Sequence, residues 1–103
     1  MTERAKAGPL DIGFEWDEVK VDANLAKHGV SFDEGQTVFG DPNTITLFDN
    51  EHADAEDRFV NIGLSSNGRV LVVVHAEADE RIRLISCRRA TAREQRQYGG
   101  RRG

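Results

Sequence analysis

An Asn-Gly pair between two apolar segments is the feature that most constrains the fold of this chain. Asn67 and Gly68 are the residues that a two-residue type I′ turn prefers, because both central positions of that turn have positive φ. Residues 58–65 before the pair and 69–77 after it are rich in apolar and β-branched residues, and residues 81–88 form a similar segment after an acidic turn. The sequence therefore predicts a three-stranded antiparallel meander.

Two helices are predicted ahead of the meander. Asp17 has a side chain that can cap a helix over residues 18–28, and Gly29 can end that helix in the left-handed conformation. Ser31 and Glu34 have the spacing of a capping box, which predicts the start of a second helix. This second helix contains a glycine, which costs about 1 kcal/mol relative to alanine, so we expect it to depend on packing.

Three further segments complete the predicted secondary structure. Residues 44–48 are rich in β-branched residues and predict a strand, while residues 14–16 predict a short extended piece. Residues 90–98 contain good helix formers and predict a C-terminal helix. The chain should therefore have an α+β fold.

The length of 103 residues is sufficient for one domain with its own core. Residues 14–98 carry the predicted elements, so we expect a flexible leader over residues 1–13 and a flexible basic tail over residues 99–103. No segment approaches the roughly 18 apolar residues that cross a membrane, and the leader lacks the apolar part of a signal peptide. We therefore expect a cytoplasmic protein.

Charge is distributed unevenly along the chain. The sequence has 14 Lys and Arg against 18 Asp and Glu, and a formal net charge of −4. Residues 81–103 nevertheless contain eight Arg and one Glu. Guanidinium groups bind phosphate through forked hydrogen bonds, so this segment indicates a surface for nucleic acid or for an acidic protein. A solvated helix face followed by a basic tail would have the same composition and remains an alternative.

Pairing across a two-residue turn predicts a polar cluster at one end of the meander. That register places Arg58 opposite Glu77, and Val60 opposite His75. A guanidinium, an imidazole and a carboxylate at the end of a buried face can bind a phosphodiester and transfer protons. The alternative is structural: Arg58 and Glu77 form a cross-strand ion pair, and His75 is a satisfied edge residue.

The third strand of the meander carries further basic residues. Strict alternation places Arg81 and Arg83 on one face of this strand and Arg88 on the other. Arg89 and Arg93 follow at the start of the C-terminal helix, so the basic surface continues from the strand onto the helix.

The sequence predicts no metal and no cofactor. Residues 49–57 contain five acids and His52, but one histidine in an acidic segment lacks the ligand spacing of a metal site. The single Cys87 can form neither an internal disulfide nor a cysteine-rich zinc site, and we expect it to be buried in a strand. Glycine-rich phosphate loops and Gly-x-Ser-x-Gly motifs do not occur.

Several short motifs occur in order between residues 14 and 98. The first half contains Phe14-Glu15-Trp16-Asp17, Asn24-x-x-Lys27-His28-Gly29-Val30 with Phe32, and Phe39-x-Asp41-Pro42. The second half contains Arg58-Phe59, Ile62-Gly63, Val72-Val73-Val74-His75 and Arg83-x-Ile85-Ser86-x-Arg88-x-Ala90. In this order and spacing the motifs resemble the BrnT family, the toxins of bacterial BrnT–BrnA toxin–antitoxin pairs.

The resemblance implies a RelE-like fold, in which two N-terminal helices pack on an antiparallel sheet that contains the meander and is followed by a C-terminal helix. It also implies a ribonuclease that arrests translation and growth. The implied partner is a BrnA-like antitoxin with a ribbon-helix-helix part, and operator DNA would be bound only through the antitoxin complex.

On this resemblance we expect a metal-independent endoribonuclease that activates a ribose 2′-hydroxyl against the adjacent phosphate. Glu77 or His75 would transfer the proton. The side chains that would stabilise charge on the phosphorane are Arg58, Arg83 and Arg88. The expected RNA-binding residues are Lys27, Arg81, Arg89 and Arg93. The alternative is a non-catalytic interaction module whose Arg-rich C-terminal region binds a protein or a nucleic acid.

Overall fold

The structure is a computed structural model and describes residues 13–49, 57–78 and 80–102. The strands are β1 (Gly13–Trp16), β2 (Ile45–Phe48), β3 (Arg58–Leu64), β4 (Val70–Ala78) and β5 (Arg81–Arg89), and the helices are α1 (Glu18–His28), α2 (Phe32–Gln36) and α3 (Ala92–Arg102). A 3₁₀ turn, Thr37–Gly40, directly follows α2. The predicted leader, except its last residue, and most of the predicted acidic connection lie outside the described residues. None of the described helices is both long and apolar enough to span a membrane.

The strands form one sheet in the order β1-β5-β4-β3-β2. The predicted meander is confirmed, because β3, β4 and β5 are joined by antiparallel pairing. β2 extends the sheet by antiparallel pairing with β3, and β1 extends the other edge by parallel pairing with β5. The sheet therefore brings residues from the start of the chain beside the basic strand near its end.

Each face of the sheet is covered by different helices. On one face, which we call the α1/α2 face, Leu71, Val73 and Leu84 belong to a core that also includes Phe32 of α2. On the opposite face, the α3 face, Ile62 and Val72 pack with Tyr98 of α3, among other residues. The burial of both sheet faces explains the nearly continuous apolar run in β4.

The local signals around α1 are confirmed. Asp17 Oδ1 accepts a hydrogen bond of 2.9 Å from the backbone N–H of Val19. Gly29 has a φ of 69° and its N–H donates to the carbonyl of Leu25, so the helix ends at the predicted left-handed glycine.

The buried side chain of Asn24 joins α1 to the sheet. Its amide nitrogen donates to the carbonyls of Val30 and Cys87, both at 2.9 Å. Its amide oxygen accepts a bond of 3.2 Å from the N–H of Cys87. β1 pairs with β5 only as far as Leu84. Asn24 therefore bonds to the backbone of β5 beyond the point where β1 ends.

Only one of the two hydrogen bonds of the predicted α2 capping box is seen among the described residues. Ser31 Oγ accepts a 3.0 Å bond from the N–H of Glu34, as a capping box requires. The Glu34 carboxylate instead accepts bonds from Ser65 at 2.7 Å and from Arg69 at 3.1 Å, so it joins α2 to the β3–β4 turn. The hydrogen bond from Arg69 is the main reason that the pKa of Glu34 lies below its usual value.

The dependence of α2 on packing has a specific cause at Gly35. A Cβ placed on Gly35 would lie 2.3 Å from the Sγ of Cys87 and 3.3 Å from its Cβ. α2 therefore lies against β5 at a distance that only glycine permits. Cys87 is buried, as predicted, and burial raises the pKa of its thiol to about 12.

The predicted two-residue turn between β3 and β4 is wrong by one residue. Ser65 pairs with Arg69, because its N–H donates to the Arg69 carbonyl at 2.8 Å, and three residues form the loop. Gly68 has a φ of 81°, whereas Asn67 is not among the described residues with positive φ. Three-residue hairpin loops of this kind place one left-handed glycine after a type I turn. Ser65 Oγ also accepts a 3.1 Å bond from the N–H of Asn67, which supports this alternative turn.

The longer loop changes every cross-strand partner. Arg58 lies opposite Ala76 and Phe59 lies opposite His75, so the predicted pairing of Arg58 with Glu77 is wrong. The predicted pairing of Val60 with His75 is wrong for the same reason. A shift of one residue moves a side chain to the other face of the sheet.

A β-bulge in β5 changes the predicted alternation of its side chains. His75 pairs with Leu84 and Val74 pairs with Ser86, which leaves Ile85 without a partner in β4. The extra residue reverses the direction of alternation in the rest of the strand. Arg83 and Arg88 therefore lie on the same face, the α3 face, and the prediction that they lie on opposite faces is wrong.

α3 begins with a complete capping box and extends beyond its predicted end. Thr91 Oγ1 accepts a 3.2 Å bond from the N–H of Glu94, and the Glu94 carboxylate accepts a 2.9 Å bond from the N–H of Thr91. The helix continues to Arg102, so residues 99–102 are helical where a flexible tail was expected. Gly99 does not adopt the left-handed conformation that ends α1.

Candidate active site

The sheet separates the five predicted catalytic residues into two groups. Arg58, Arg83 and Arg88 belong to the α3 face, because their cross-strand partners are Ala76 and Val72. His75 and Glu77 lie on the α1/α2 face, opposite Leu84 and Ile82. The structure thus places the three arginines on one face of the sheet and the two predicted proton-transfer groups on the other, with only Arg58 and Arg83 next to the same residue.

His75 is a core residue and not the edge residue that its predicted position indicated. It is 1% exposed, and its Nε2 lies 2.8 Å from the Oδ1 of Asn61. Its ring contacts Phe39 and Phe59, at centroid distances of 4.9 and 5.7 Å. Burial lowers the pKa of His75 to about 4. The imidazole is therefore neutral near pH 7 and is enclosed by aromatic rings.

The buried imidazole predicts that stability falls in weak acid. An unfolded chain binds a proton at His75 near pH 6.5, whereas the folded chain does so only near pH 4. Stability is therefore complete above about pH 6.5 and should decrease by about 2 to 3 kcal/mol as pH falls toward 4. Urea unfolding of wild type and His75→Phe across this range measures the effect. Equal pH dependence in the two proteins would contradict the assignment.

Arg58 and Arg83 flank Ala76 across three adjacent strands. Each of them is a direct cross-strand partner of Ala76, one from β3 and one from β5. Strands lie about 4.8 Å apart, so the two arginine backbones are separated by about 10 Å. Both arginines therefore belong to the same face, one on each side of a small side chain.

Glu15 is a carboxylate beside this arginine pair that the sequence interpretation missed. Parallel pairing of β1 with β5 places Glu15 next to Arg83 on the same face. Glu15 Oε1 also accepts a 2.9 Å bond from Nε of Arg81, in an ion pair whose two side chains are 40% and 46% exposed. Such exposed ion pairs are weak, so the carboxylate can exchange partners.

Arg88 is held by α3. Two of its guanidinium nitrogens each donate a 2.8 Å bond to the Glu94 carboxylate. This hydrogen bonding is the largest cause of the low pKa of Glu94, about 2, and it raises the pKa of Arg88. Arg88 therefore connects β5 to the first turn of α3.

The predicted RNA-binding residues lie in two regions, one on β5 and α3 and the other between α1 and β5. Arg81, Arg89 and Arg93 are exposed on β5 and at the start of α3. Lys27 lines a pocket of about 260 Å³ between α1 and β5, together with Lys20, which the sequence interpretation also missed. The spacing of seven residues between the two lysines, which places them on one side of a helix, was the available signal.

No group of three or more His, Cys, Asp or Glu side chains is arranged to hold a metal ion within the part of the chain that the structure describes. His52 and the acids Glu51, Asp54 and Glu56 lie outside that part. The described basic residues can hold phosphate groups through charge-assisted hydrogen bonds. The chemistry open to this surface is therefore the binding and electrostatic stabilisation of phosphate.

Comparison with known proteins gives an independent indication of function. A sequence profile of the family described as "Ribonuclease toxin, BrnT, of type II toxin-antitoxin system" matches residues 16–94. The crystal structure of the Brucella abortus ribonuclease toxin BrnT is similar, with a TM-score of 0.57 and 25% identity over 76% of this chain and 95% of that chain. No curated protein sequence matches this chain. Because the profile spans most of its length, this chain belongs to the BrnT family of ribonuclease toxins of type II toxin–antitoxin systems.

Proposed function

We propose that this chain is a metal-independent endoribonuclease with a RelE-like fold that cleaves RNA in the cytoplasm and thereby arrests translation and growth. The observation that carries the proposal is the pair formed by Arg58 and Arg83, which face each other across Ala76 on the α3 face. Two guanidinium groups at this spacing suit the scissile phosphate of RNA.

Cleavage then proceeds by attack of the ribose 2′-oxygen on the adjacent phosphorus. The bond between phosphorus and the 5′-oxygen breaks, which yields a 2′,3′-cyclic phosphate and a 5′-hydroxyl. Arg58 and Arg83 stabilise the additional negative charge on the phosphorane. Glu15, beside Arg83, accepts the proton of the 2′-hydroxyl, and the leaving oxygen takes a proton from solvent.

This assignment changes the roles expected from the sequence. Glu77 and His75 point to the other face of the sheet, and His75 is enclosed in the core, so neither can reach a phosphate held by the arginine pair. Arg88 bonds to Glu94 and serves to hold α3 beside the site. The proposal therefore keeps two of the five residues as catalytic groups and adds Glu15.

Membership of a type II toxin–antitoxin family implies an antitoxin partner. We propose that this partner is BrnA-like, with a ribbon-helix-helix part, and that operator DNA is bound only through the complex. The exposed side chains of Arg81, Arg89 and Arg93 support binding of an acidic antitoxin segment.

Substitution of either paired arginine should abolish most cleavage. We expect Arg58→Ala and Arg83→Ala each to lower the rate of RNA cleavage by about a hundredfold, because each removes one hydrogen-bonding cation from the transition state. Glu15→Gln should also slow cleavage while it leaves RNA binding intact. The measurement is cleavage of a defined RNA by purified protein in excess chelator.

Arg96→Ala is the matched control, since Arg96 is an exposed arginine on α3 outside the pair. Thermal unfolding establishes that each variant is folded. RNA that stays intact in chelator and is cut after addition of a divalent ion contradicts the metal-independent mechanism. RNA that stays intact in both conditions supports the alternative of a non-catalytic interaction module.

A further inference from the structure

The pocket between α1 and β5 is separate from Arg58 and Arg83, and its lining includes several basic residues. It is lined by one side of α1 and by Ile85 and Ser86, which follow the last residue of β5 that pairs with β1. Lys20, Lys27 and His28 share that side of α1 because they are seven and eight residues apart. The pocket is thus formed where the sheet edge changes its partner from a strand to a helix.

The polar groups available in the pocket favour an anion. Lys20 and Lys27 carry ammonium groups, and His28 and Ser86 add an imidazole and a hydroxyl. The amide of Asn24, which also lines the pocket, already bonds to backbone groups of Val30 and Cys87. Among the described residues, no carboxylate lines the pocket. Hydrogen-bond donors with two fixed positive charges are the groups that bind phosphate.

The pocket is connected to the arginine pair through Ser86. This residue pairs with Val74 and therefore belongs to the α3 face, between Arg83 and Arg88 along β5. Three strand positions, about 10 Å, separate Ser86 from Arg83, so one single strand of RNA can contact both places.

We propose that the pocket is a subsite for a phosphate of the RNA substrate next to the scissile one, a proposal that rests on the ribonuclease function proposed above. Lys20 and Lys27 hold this phosphate, and His28 donates to its oxygens. The subsite contacts the sugar-phosphate backbone, so it contributes to affinity equally for different RNA sequences.

Binding of RNA that cannot be cleaved tests the subsite separately from catalysis. A short, fluorescently labelled 2′-O-methyl RNA lacks the attacking hydroxyl, and its anisotropy reports the Kd. We expect Lys20→Gln and Lys27→Gln each to raise the Kd by about tenfold. Each should also reduce the slope of log K against log salt concentration by about 0.7, the value for one lost phosphate contact on a single strand.

Arg96→Gln is the matched control, because it removes one positive charge from an exposed position on α3 outside the pocket. Its salt slope should equal that of wild type. Unchanged slopes for both lysine variants, or an equal loss of slope in Arg96→Gln, would overturn the subsite. An inactive wild-type protein would contradict the ribonuclease mechanism, while the binding data would still decide the subsite.

Discussion

Asn24→Ala is expected to lower the free energy of unfolding by about 4 kcal/mol. The side chain is 8% exposed, and its removal leaves the carbonyls of Val30 and Cys87 and the N–H of Cys87 without these partners. Each buried backbone group without a partner costs about 1 to 3 kcal/mol. A domain of this size has a stability of about 5 to 15 kcal/mol, so the variant should be close to unfolding at physiological temperature.

Urea unfolding measures this change, with Asp22→Ala as the control on the same helix. Asp22 is exposed, and its replacement should change stability by less than about 0.5 kcal/mol. A loss of about 1 kcal/mol is the smallest expected for a single buried group without a partner. An Asn24→Ala protein whose stability lies within that amount of wild type would contradict the prediction and show that water replaces the amide. We also expect weaker RNA binding, because Asn24 fixes the part of α1 that carries Lys20 and Lys27.

Gly35→Ala is expected to destabilise the protein by about 2 kcal/mol, although alanine is the better helix former. The added Cβ would lie 2.3 Å from the Sγ of Cys87, a distance that requires α2 to move away from the sheet. Overpacking of a buried contact costs about 1 to 3 kcal/mol and sometimes more, which exceeds the gain of about 1 kcal/mol from helix propensity.

A double substitution tests the cause of this loss. Cys87→Ala removes the sulfur, so Gly35→Ala combined with Cys87→Ala should be less destabilised than the sum of the single variants. Gly99→Ala is the matched control, because nothing lies within 4 Å of a Cβ at that helical glycine. We expect it to leave stability unchanged or to raise it by up to about 1 kcal/mol. Additive single and double variants would exclude the sulfur contact as the cause.

Local signals in the sequence were sufficient for the helices and the meander. Asp17 and Gly29 predicted both ends of α1, because a cap depends on side chains within a few residues of the helix end. Ser31 predicted the start of α2 for the same reason. The apolar strands β3, β4 and β5 were predicted from composition alone, since both faces of the sheet are buried.

Register and sheet order depended on interactions that the sequence does not display. The loop at Gly68 and the bulge at Ile85 each add one residue, and an error of one residue reverses the face of every following side chain. The parallel pairing of Glu15 with Arg83 joins segments far apart in the chain, so no local pattern could indicate it. The extra loop residue is the reason why the predicted grouping of Arg58 with His75 and Glu77 is wrong.

The sequence identified some residues of the candidate site but not how they are arranged on the sheet. Arg58 and Arg83 were identified because arginine suits phosphate, and the structure places both on one face. Lys20 was missed because a lysine on a helix surface has many neutral explanations. Strict alternation would place Ser86 on the face opposite Arg83, because it takes no account of the bulge.

The bulge at Ile85 has a consequence for the comparison of relatives. Arg83 and Arg88 are five positions apart, and residues separated by an odd number of positions share a face only if the strand between them contains one extra residue. Two relatives can therefore align without a gap and still differ in which face each arginine occupies. In this family, a column of aligned arginines defines a common surface only for members that keep the irregularity between them.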